Sequence, residues 1–206
     1  ACCRTPMAAV DLMALARETD RLTILGLDVR LEHDMKPISS GFGRSLDLLV
    51  CNAGVLNGRS GLTDPEQDSR AIEDTLMTNV GGVFFTVRHF LPHLQAGVEQ
   101  RGDAPGKLAI ISSQMGSSTR SGMSAIIYRA SKAAVTNLAR SLAVELASQN
   151  IAVGAYHPGW VQTDMGGQEA PVTPADSATG LMQRFGQLSM KTTGVFEDYR
   201  GAAIPF

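Results

Sequence analysis

Residues 108–132 read L-A-I-I-S-S-Q-M-G-S-S-T-R-S-G-M-S-A-I-I-Y-R-A-S-K. The four apolar residues at the start indicate a buried β-strand, and the change to serine and glycine indicates a turn. The stretch ends on Tyr128 and Lys132, which open a long amphipathic segment. Because residues four apart project from the same face of a helix, this spacing predicts a phenol and an ammonium group side by side.

A cation beside a phenol favours the ionised form and lowers a pKa that is otherwise about 10. A tyrosine tuned in this way can transfer a proton near neutral pH. Ser113 stands at the carboxyl end of the preceding strand and brings a hydroxyl to the same place. Taken alone, the Tyr128–Lys132 pair also fits a surface tyrosine and lysine on an ordinary helix, so its meaning depends on the rest of the chain.

Apolar strand patterns alternate with helical patterns along the chain. This alternation predicts an α/β fold, a parallel sheet with helices on both faces. With 206 residues and 44% hydrophobic content, we expect one globular domain, residues 1–206. The predicted strands are 1–4, 22–29, 46–51, 107–112, 151–156 and 194–206, and the predicted helices are 7–19, 32–43, 70–95, 126–149 and one that begins at 173.

Small or polar clusters follow four of the predicted strands. They are Asp28, Asn52-Ala53-Gly54, Ser112-Ser113 and Pro158-Gly159. Ligands of parallel α/β sheets bind outside the carboxyl ends of the strands. The coincidence predicts a binding site along that edge of the sheet.

Composition argues against several functions. The net charge is −2, so the chain lacks a basic field that would attract nucleic acid or an anionic membrane, and no apolar run approaches the roughly 18 residues of a membrane span. Cys2, Cys3 and Cys51 do not make a disulfide framework, which favours reduced thiols and a cytoplasmic location. His89 and His93 have no third ligand at a suitable spacing, so we expect no metal site.

The ordered set of short motifs resembles the short-chain dehydrogenase/reductase family. Five signatures occur in the family's order: Asp28-Val29, Asn52-Ala53-Gly54, Asn79 inside the long helix, Ser112-Ser113 followed by Tyr-x-x-x-Lys, and P-G-W-V-Q-T at 158–163. The ending D-Y-R-G-A-A-I-P-F at 198–206 resembles the carbonyl-reductase branch related to the sniffer and C-factor proteins. The resemblance implies a Rossmann-type doubly wound parallel sheet that binds a nicotinamide cofactor.

The resemblance also implies catalytic roles for four residues. Tyr128 would be the general acid in carbonyl reduction, and Ser113 would donate a hydrogen bond to the carbonyl oxygen. Lys132 would hold the nicotinamide ribose and lower the pKa of Tyr128. Asn79 would open its helix locally and hold a water that links Lys132 to solvent, although a satisfied buried amide is the plainer interpretation.

The spacing from Ser113 to Tyr128 is slightly longer than the family usually has. Ser117 and Ser118 are therefore alternatives, while the sequence around Ser113 favours Ser113.

The same resemblance implies the cofactor contacts. Asp28 would accept a hydrogen bond from the adenine amino group beside the Val29 backbone, and small residues after the third strand would leave room for the adenosine ribose. Plain strand-to-loop turns are the alternative. The remaining expected contacts are Asn52, Ala53 and Gly54 at the ribose, Tyr128, Pro158 and Gly159 at the nicotinamide, the Val161 backbone at the carboxamide, and Thr163 near the phosphates.

Cofactor choice depends on the end of the first predicted strand. Family members that prefer NAD(H) usually carry an acidic residue there, to bind the ribose hydroxyls. This chain has Cys2-Cys3-Arg4 instead. A guanidinium suits a 2′-phosphate, so NADP(H) is favoured over NAD(H), with Arg4 as the contact.

One family feature has no counterpart, the glycine-rich strand–turn–helix that holds the pyrophosphate. Its strand lies in the middle of the sheet, in the order 3-2-1-4-5-6. Either upstream residues precede this N-terminally incomplete chain, which is the favoured interpretation, or the chain is a remnant of the fold. In both cases we expect a divided sheet and poor NADPH binding.

Two functional hypotheses remain at this point. The first is an NADPH-dependent reductase of a small-molecule aldehyde or ketone, the alcohol being the product or the substrate of the reverse reaction. The second is a non-catalytic Rossmann scaffold that binds a partner or signals. The resemblance implies that Met115, Trp160, Met165 and Met182 border an apolar substrate pocket, with ordinary core packing an equally good account of Met182. Helices 70–95 and 126–149 would pair across a homodimer or homotetramer.

Overall fold

Strands and helices alternate in a computed structural model that describes residues 1–206. Three short 3₁₀ turns lie at Pro6–Ala8, Gln114–Gly116 and Ala147–Gln149, and a π-helical turn lies at Met77–Gly81. The elements are β1 (Cys2–Cys3), α1 (Val10–Glu18), β2 (Leu25–Gly26), α2 (Glu32–Phe42), β3 (Leu48–Cys51), α3 (Ser69–Leu76), α4 (Gly82–Arg101), β4 (Gly106–Ile111), α5 (Ile126–Glu145), β5 (Ile151–His157), α6 (Pro174–Gln187) and β6 (Val195–Asp198).

All strand pairs are parallel, which confirms the predicted α/β class. The strands form two separate sheets, a four-stranded one in the order β3-β4-β5-β6 and a two-stranded one of β1 and β2. The break falls between β1 and β3, where the family's order has its first strand. The expected division of the sheet is therefore present.

The core lies on both faces of the four-stranded sheet. β5 is buried along all seven residues, as a parallel strand covered on both faces must be. α6 covers one face, where the rings of Phe185 and Tyr156 meet edge to face with centroids 5.0 Å apart. α4 and α5 cover the other face, and the side chains that join them to the sheet are Val83, Val87, Leu94, Leu108, Ile110, Val135, Leu142 and Val153.

Some predicted boundaries were wrong. The helix predicted to stop at residue 95 continues to Arg101, because Gly97 lets α4 lie directly against the Leu46 carbonyl, where a Cβ would collide. The strand predicted over 22–29 is only Leu25–Gly26, because its partner β1 offers two residues for pairing. The final strand ends at Asp198, and the chain then returns for an isolated antiparallel bridge between Glu197 and Ala203.

The N-terminus of α6 follows the predicted pattern. Thr173 caps it by accepting a hydrogen bond from the Asp176 amide, and Pro174 occupies the first helical turn.

No helix in the chain combines the length and the apolar composition that crossing a membrane requires.

Candidate active site

Tyr128 and Ser113 come together at the carboxyl end of β4. Tyr128 lies in the first turn of α5 and is 8% exposed, and Ser113, just after β4, is 5% exposed. The Ser113 hydroxyl also accepts a hydrogen bond from the Met115 amide at 3.1 Å, which fixes the start of the turn that follows. The Ser113 and Tyr128 side chains are therefore both buried at the carboxyl end of β4.

The pKa of Tyr128 is raised, chiefly because burial penalises the phenolate. The Ser113 hydroxyl acts in the opposite direction, because its side-chain interaction with the phenol favours the ionised form. The pKa of Tyr128 is therefore raised in this structure, and the predicted lowering by Lys132 is not found. The physical reason is that the burial of the phenol sets the direction of the shift.

Lys132 lies one helical turn beyond Tyr128 and is 4% exposed. Its Nζ is 5.7 Å from the centre of the Tyr128 ring and donates to the Ile111 carbonyl at 2.9 Å. It has no carboxylate partner, and burial lowers its pKa to about 8. With one protein acceptor, the amine keeps hydrogen-bonding capacity for a ligand.

Asn79 sits within the π-helical turn and is 1% exposed. Its Oδ1 accepts from the Val55 amide at 2.8 Å, and its Nδ2 donates to the Val55 carbonyl at 3.0 Å and to Ser131 Oγ at 2.9 Å. The side chain thus pairs with Val55 as a neighbouring strand would and holds the turn after β3 against α5. The helix is locally open as expected, and the bound water stays a prediction.

The serines of the 108–132 stretch have different surroundings. Ser112 bonds within the core, to the Lys132 carbonyl and Thr136, and Ser117 pairs with Thr119. Ser118 is exposed. Only Ser113 acts on the Tyr128 phenol, which favours it over the two alternatives.

Small residues after β3 leave space beside Lys132. Asn52 and Ala53 are exposed, and a Cβ at Gly54 would lie 3.4 Å from both Asn79 Oδ1 and Lys132 Nζ. A side chain here would stand against the amine. The glycine therefore keeps a cradle open, and this cradle with its underused amine fits the ribose of a nicotinamide cofactor.

At the other expected end of the cofactor, Asp28 already has a partner. The Arg30 guanidinium grips both of its carboxylate oxygens, with Nη2–Oδ2 at 2.5 Å, and reaches Asp74 at the same distance. These bonds hold the pKa of Asp28 below its usual range, chiefly through the Arg30 side chain, and exposed Arg4 adds to the effect. Val29 packs against Gly82, at the start of α4. An adenine amino group at Asp28 would share its carboxylate with Arg30.

Sequence reasoning missed Arg30, because a charged residue after a strand carries no pattern of its own. The only signal was its position two residues after Asp28, a spacing at which the Arg30 amide also bonds the Asp28 carboxylate.

The loop after β5 is shaped by its own hydrogen bonds. Gly159 has a φ of 90°, a left-handed conformation that favours glycine. Thr163 Oγ1 accepts from the Gly166 amide at 3.1 Å, and Trp160 Nε1 donates to the Gly166 carbonyl at 2.7 Å. Val161 forms a bridge to residue 172. The Pro158 carbonyl accepts a hydrogen bond from the Ser177 hydroxyl on α6.

Three of the four residues expected around a substrate lie near this edge. Met115 and Met165 are half-buried, and Trp160 is 54% exposed. Met182 does not belong with them, because it lines a separate cavity of about 450 Å³ with Asp47 at the opposite, amino-terminal end of the strands. α6 runs from the carboxyl end of the sheet to the amino end, and Met182 lies past its middle.

Comparison with known proteins gives consistent results. The family model for short chain dehydrogenase matches residues 2–172. The chain is 33% identical to C-signal of Myxococcus xanthus over 162 residues, which are 78% of this chain and 93% of that protein. It spans less of two plant relatives, 61% and 53% of their lengths.

Solved structures extend the likeness over the whole chain. The carbonyl reductase Sniffer of D. melanogaster matches with a TM-score of 0.93 and 30% identity, covering 100% of this chain and 86% of that one. An NADPH-bound carbonyl reductase from chicken fatty liver matches with a TM-score of 0.90 and 28% identity over the same shares.

Proposed function

Because this chain belongs to the short-chain dehydrogenase/reductase family, we propose that it reduces an aldehyde or ketone to an alcohol with NADPH. The observation that carries the proposal is the buried group of Ser113, Tyr128 and Lys132 beside the Gly54 turn. A phenol, a hydroxyl and an amine without a counter-charge are each costly to bury, so their presence together out of water favours a catalytic site over a non-catalytic scaffold.

The cofactor would supply the hydride that the carbonyl carbon receives. Tyr128 would give the proton to the carbonyl oxygen, and its raised pKa suits this role, because the phenol keeps its proton at neutral pH until the oxygen becomes basic. Ser113 would donate a hydrogen bond to the same oxygen. Both groups are held before substrate arrives, so little reorganisation accompanies the reaction.

Lys132 would bind the nicotinamide ribose with the donors that Ile111 leaves free. A pKa of about 8 means that the amine loses its proton more readily than an exposed lysine, so it can pass a proton toward Tyr128. Asn79 would keep the ribose cradle open by holding Val55 and Ser131 in place. Asn52, Ala53 and Gly54 would line the adenosine side of that cradle, and Pro158, Gly159, Val161 and Thr163 the nicotinamide side.

NADP(H) is the proposed cofactor, with Arg4 at the 2′-phosphate. Arg4 is exposed at the end of β1, and no carboxylate on that strand would compete for it. The chicken carbonyl reductase is described as NADPH-bound, which supports the same choice. Asp28 and Val29 would meet the adenine, with Arg30 retained as a second partner of Asp28.

We also propose that the chain is a single domain that associates with copies of itself as a dimer or tetramer. Phe84 on α4 and Val144 on α5 are 45% and 81% exposed, large apolar groups on the two helices that the sequence suggested for pairing. A monomeric mass in light scattering at micromolar concentration would argue against this association.

The test of the proposed function is a cofactor assay on the full-length protein. Loss of NADPH absorbance should accompany reduction of at least some members of a panel of apolar aldehydes and ketones, with slower turnover of NADH. A protein that binds NADPH in a fluorescence titration but consumes none with any carbonyl would favour the non-catalytic scaffold instead.

A further inference from the structure

The residue after Tyr128 is an arginine whose side chain turns back to the loop that joins β4 to α5. Arg129 Nη1 donates to the Arg120 carbonyl at 2.9 Å, and its Nε donates to the Ser124 carbonyl at 3.0 Å. A longer contact of 3.5 Å joins Nη1 to the Met115 carbonyl. One guanidinium thus binds the beginning, middle and end of residues 114–125, which we name the 114–125 loop.

The loop is built around this arginine. Gly122 packs so closely on the guanidinium that a Cβ there would collide with it. Ala125, the last residue before α5, is buried and has a φ of 50°, a conformation that costs a non-glycine residue free energy. Its amide donates to the Ser60 carbonyl at 2.8 Å, which ties the loop to the segment after β3. The strained end therefore depends on bonds from both sides.

Met115 links Arg129 to the proposed catalytic pair, Ser113 and Tyr128. The carbonyl of Met115 contacts Arg129, while its amide donates to Ser113 Oγ, the hydroxyl that acts on the Tyr128 phenol. Arg129 also follows Tyr128 directly in the chain. It is thus fixed beside the proposed general acid, and it holds the loop whose Met115 amide orients the Ser113 hydroxyl.

We propose that Arg129 is a positioning residue that aligns Ser113 with Tyr128 by fixing the 114–125 loop. This inference rests on the proposed function for its catalytic consequence. Arg129 acts through geometry, because its three contacts are all with backbone carbonyls of this loop. Misplacement of a catalytic group by about 1 Å can cost about 10²-fold in rate.

The primary variant is Arg129→Met, which keeps the aliphatic stem and removes all donors. We expect kcat to fall about 10- to 100-fold while KM for NADPH stays within about twofold. Arg140→Met is the matched control on the same helix, because its guanidinium stacks on Phe206 at 4.0 Å and touches no part of the site. It should leave kcat unchanged. Gly122→Ala displaces the guanidinium without removing it and should lower kcat in the same direction.

A double-mutant cycle with Ser113→Ala separates positioning from a general structural role. If Arg129 acts by aligning Ser113, the Arg129→Met change should cost less than about threefold in the Ser113→Ala background, because the group it aligns is gone. Equal losses in both backgrounds would overturn the proposal.

Deuterium uptake by the 114–125 loop supplies a measurement that does not need activity. Arg129→Met should raise the uptake of this loop, and Arg140→Met should not. Unchanged uptake in Arg129→Met would overturn the clamp, whatever the kinetics. Raised uptake with an unchanged kcat would overturn the positioning role, and a wild-type protein with no reductase activity would overturn the proposed function and the catalytic part of this proposal together.

Discussion

The amino-terminal region and the four-stranded sheet differ in how much of each is buried. α1 contains no buried residue, and β1 and β2 have two residues each. In the sheet, β5 is buried throughout, and Asn79, Ser113, Tyr128 and Lys132 are all less than 9% exposed. The residues proposed for proton transfer are thus buried, whereas Arg4, the residue proposed for cofactor choice, is exposed to solvent.

The difference is also electrostatic. Asp28 in the amino-terminal region is paired with Arg30, whereas Lys132 in the sheet region has only the Ile111 carbonyl. An ion pair stabilises the charged form of a side chain, and burial without a counter-charge destabilises that form. The unpaired buried amine therefore belongs to the residues proposed for proton transfer, and the ion-paired carboxylate to the residues proposed to meet the adenine.

The largest expected effect tests the buried region as the place of the chemistry. Tyr128→Phe should lower carbonyl reduction by about 10²–10⁴-fold, because only the proton donor is lost and the ring still packs. Steady-state kinetics of the full-length protein measure it. NADPH affinity and the unfolding midpoint should stay near wild type, and a variant that keeps more than about a tenth of the rate would refute Tyr128 as the acid.

Hydrogen exchange compares the two regions directly. Backbone amides of β1 and β2, such as Leu25 bonded to the Ala1 carbonyl, should exchange on the order of 10²-fold faster than those between β4 and β5, such as Ser112 bonded to Tyr156. A two-residue pair opens without disturbing the core, whereas a buried strand opens only with it. Equal protection in the two sheets would mean that they unfold as one unit.

Arg4→Asp tests whether the exposed region selects the cofactor. The ratio of kcat/KM for NADPH to that for NADH should fall by roughly tenfold, because a carboxylate repels a 2′-phosphate and accepts from a 2′-hydroxyl. Arg21→Asp, the same charge change at another exposed position, is the control. If both variants change the ratio alike, net charge is responsible and not a contact at Arg4.

The smallest expected effect concerns the burial of Lys132. Its pKa of about 8 in the folded protein lies below the ordinary 10.5, so between these values the unfolded chain binds a proton that the folded one does not. Its cost to stability is therefore full below pH 8 and disappears as the pH rises toward 10.5. The melting temperature of Lys132→Met minus that of wild type, measured without added cofactor, should fall by a few degrees across this window. A constant difference would mean that Lys132 is better solvated than its burial indicates.

Sequence patterns were sufficient for the order of the elements and for the group around Tyr128. Apolar runs of about four residues or more predicted β3, β4 and β5, because a strand covered on both faces must be apolar throughout. The four-residue spacing of Tyr128 and Lys132 put them on one helix face, since helix geometry is local. The boundary at Arg101 was missed because Gly97 acts through contact with Leu46, which lies far away in the sequence.

The sequence by itself determined which groups this protein carries and in what order along an α/β chain, because periodicity and local spacing follow from backbone geometry. Only the tertiary structure decided which serine meets Tyr128, that burial raises the pKa of that phenol, and that Arg30 and Arg129 are engaged with Asp28 and the 114–125 loop. Desolvation and long-range hydrogen bonds depend on what surrounds a group in three dimensions, and no local pattern records those surroundings.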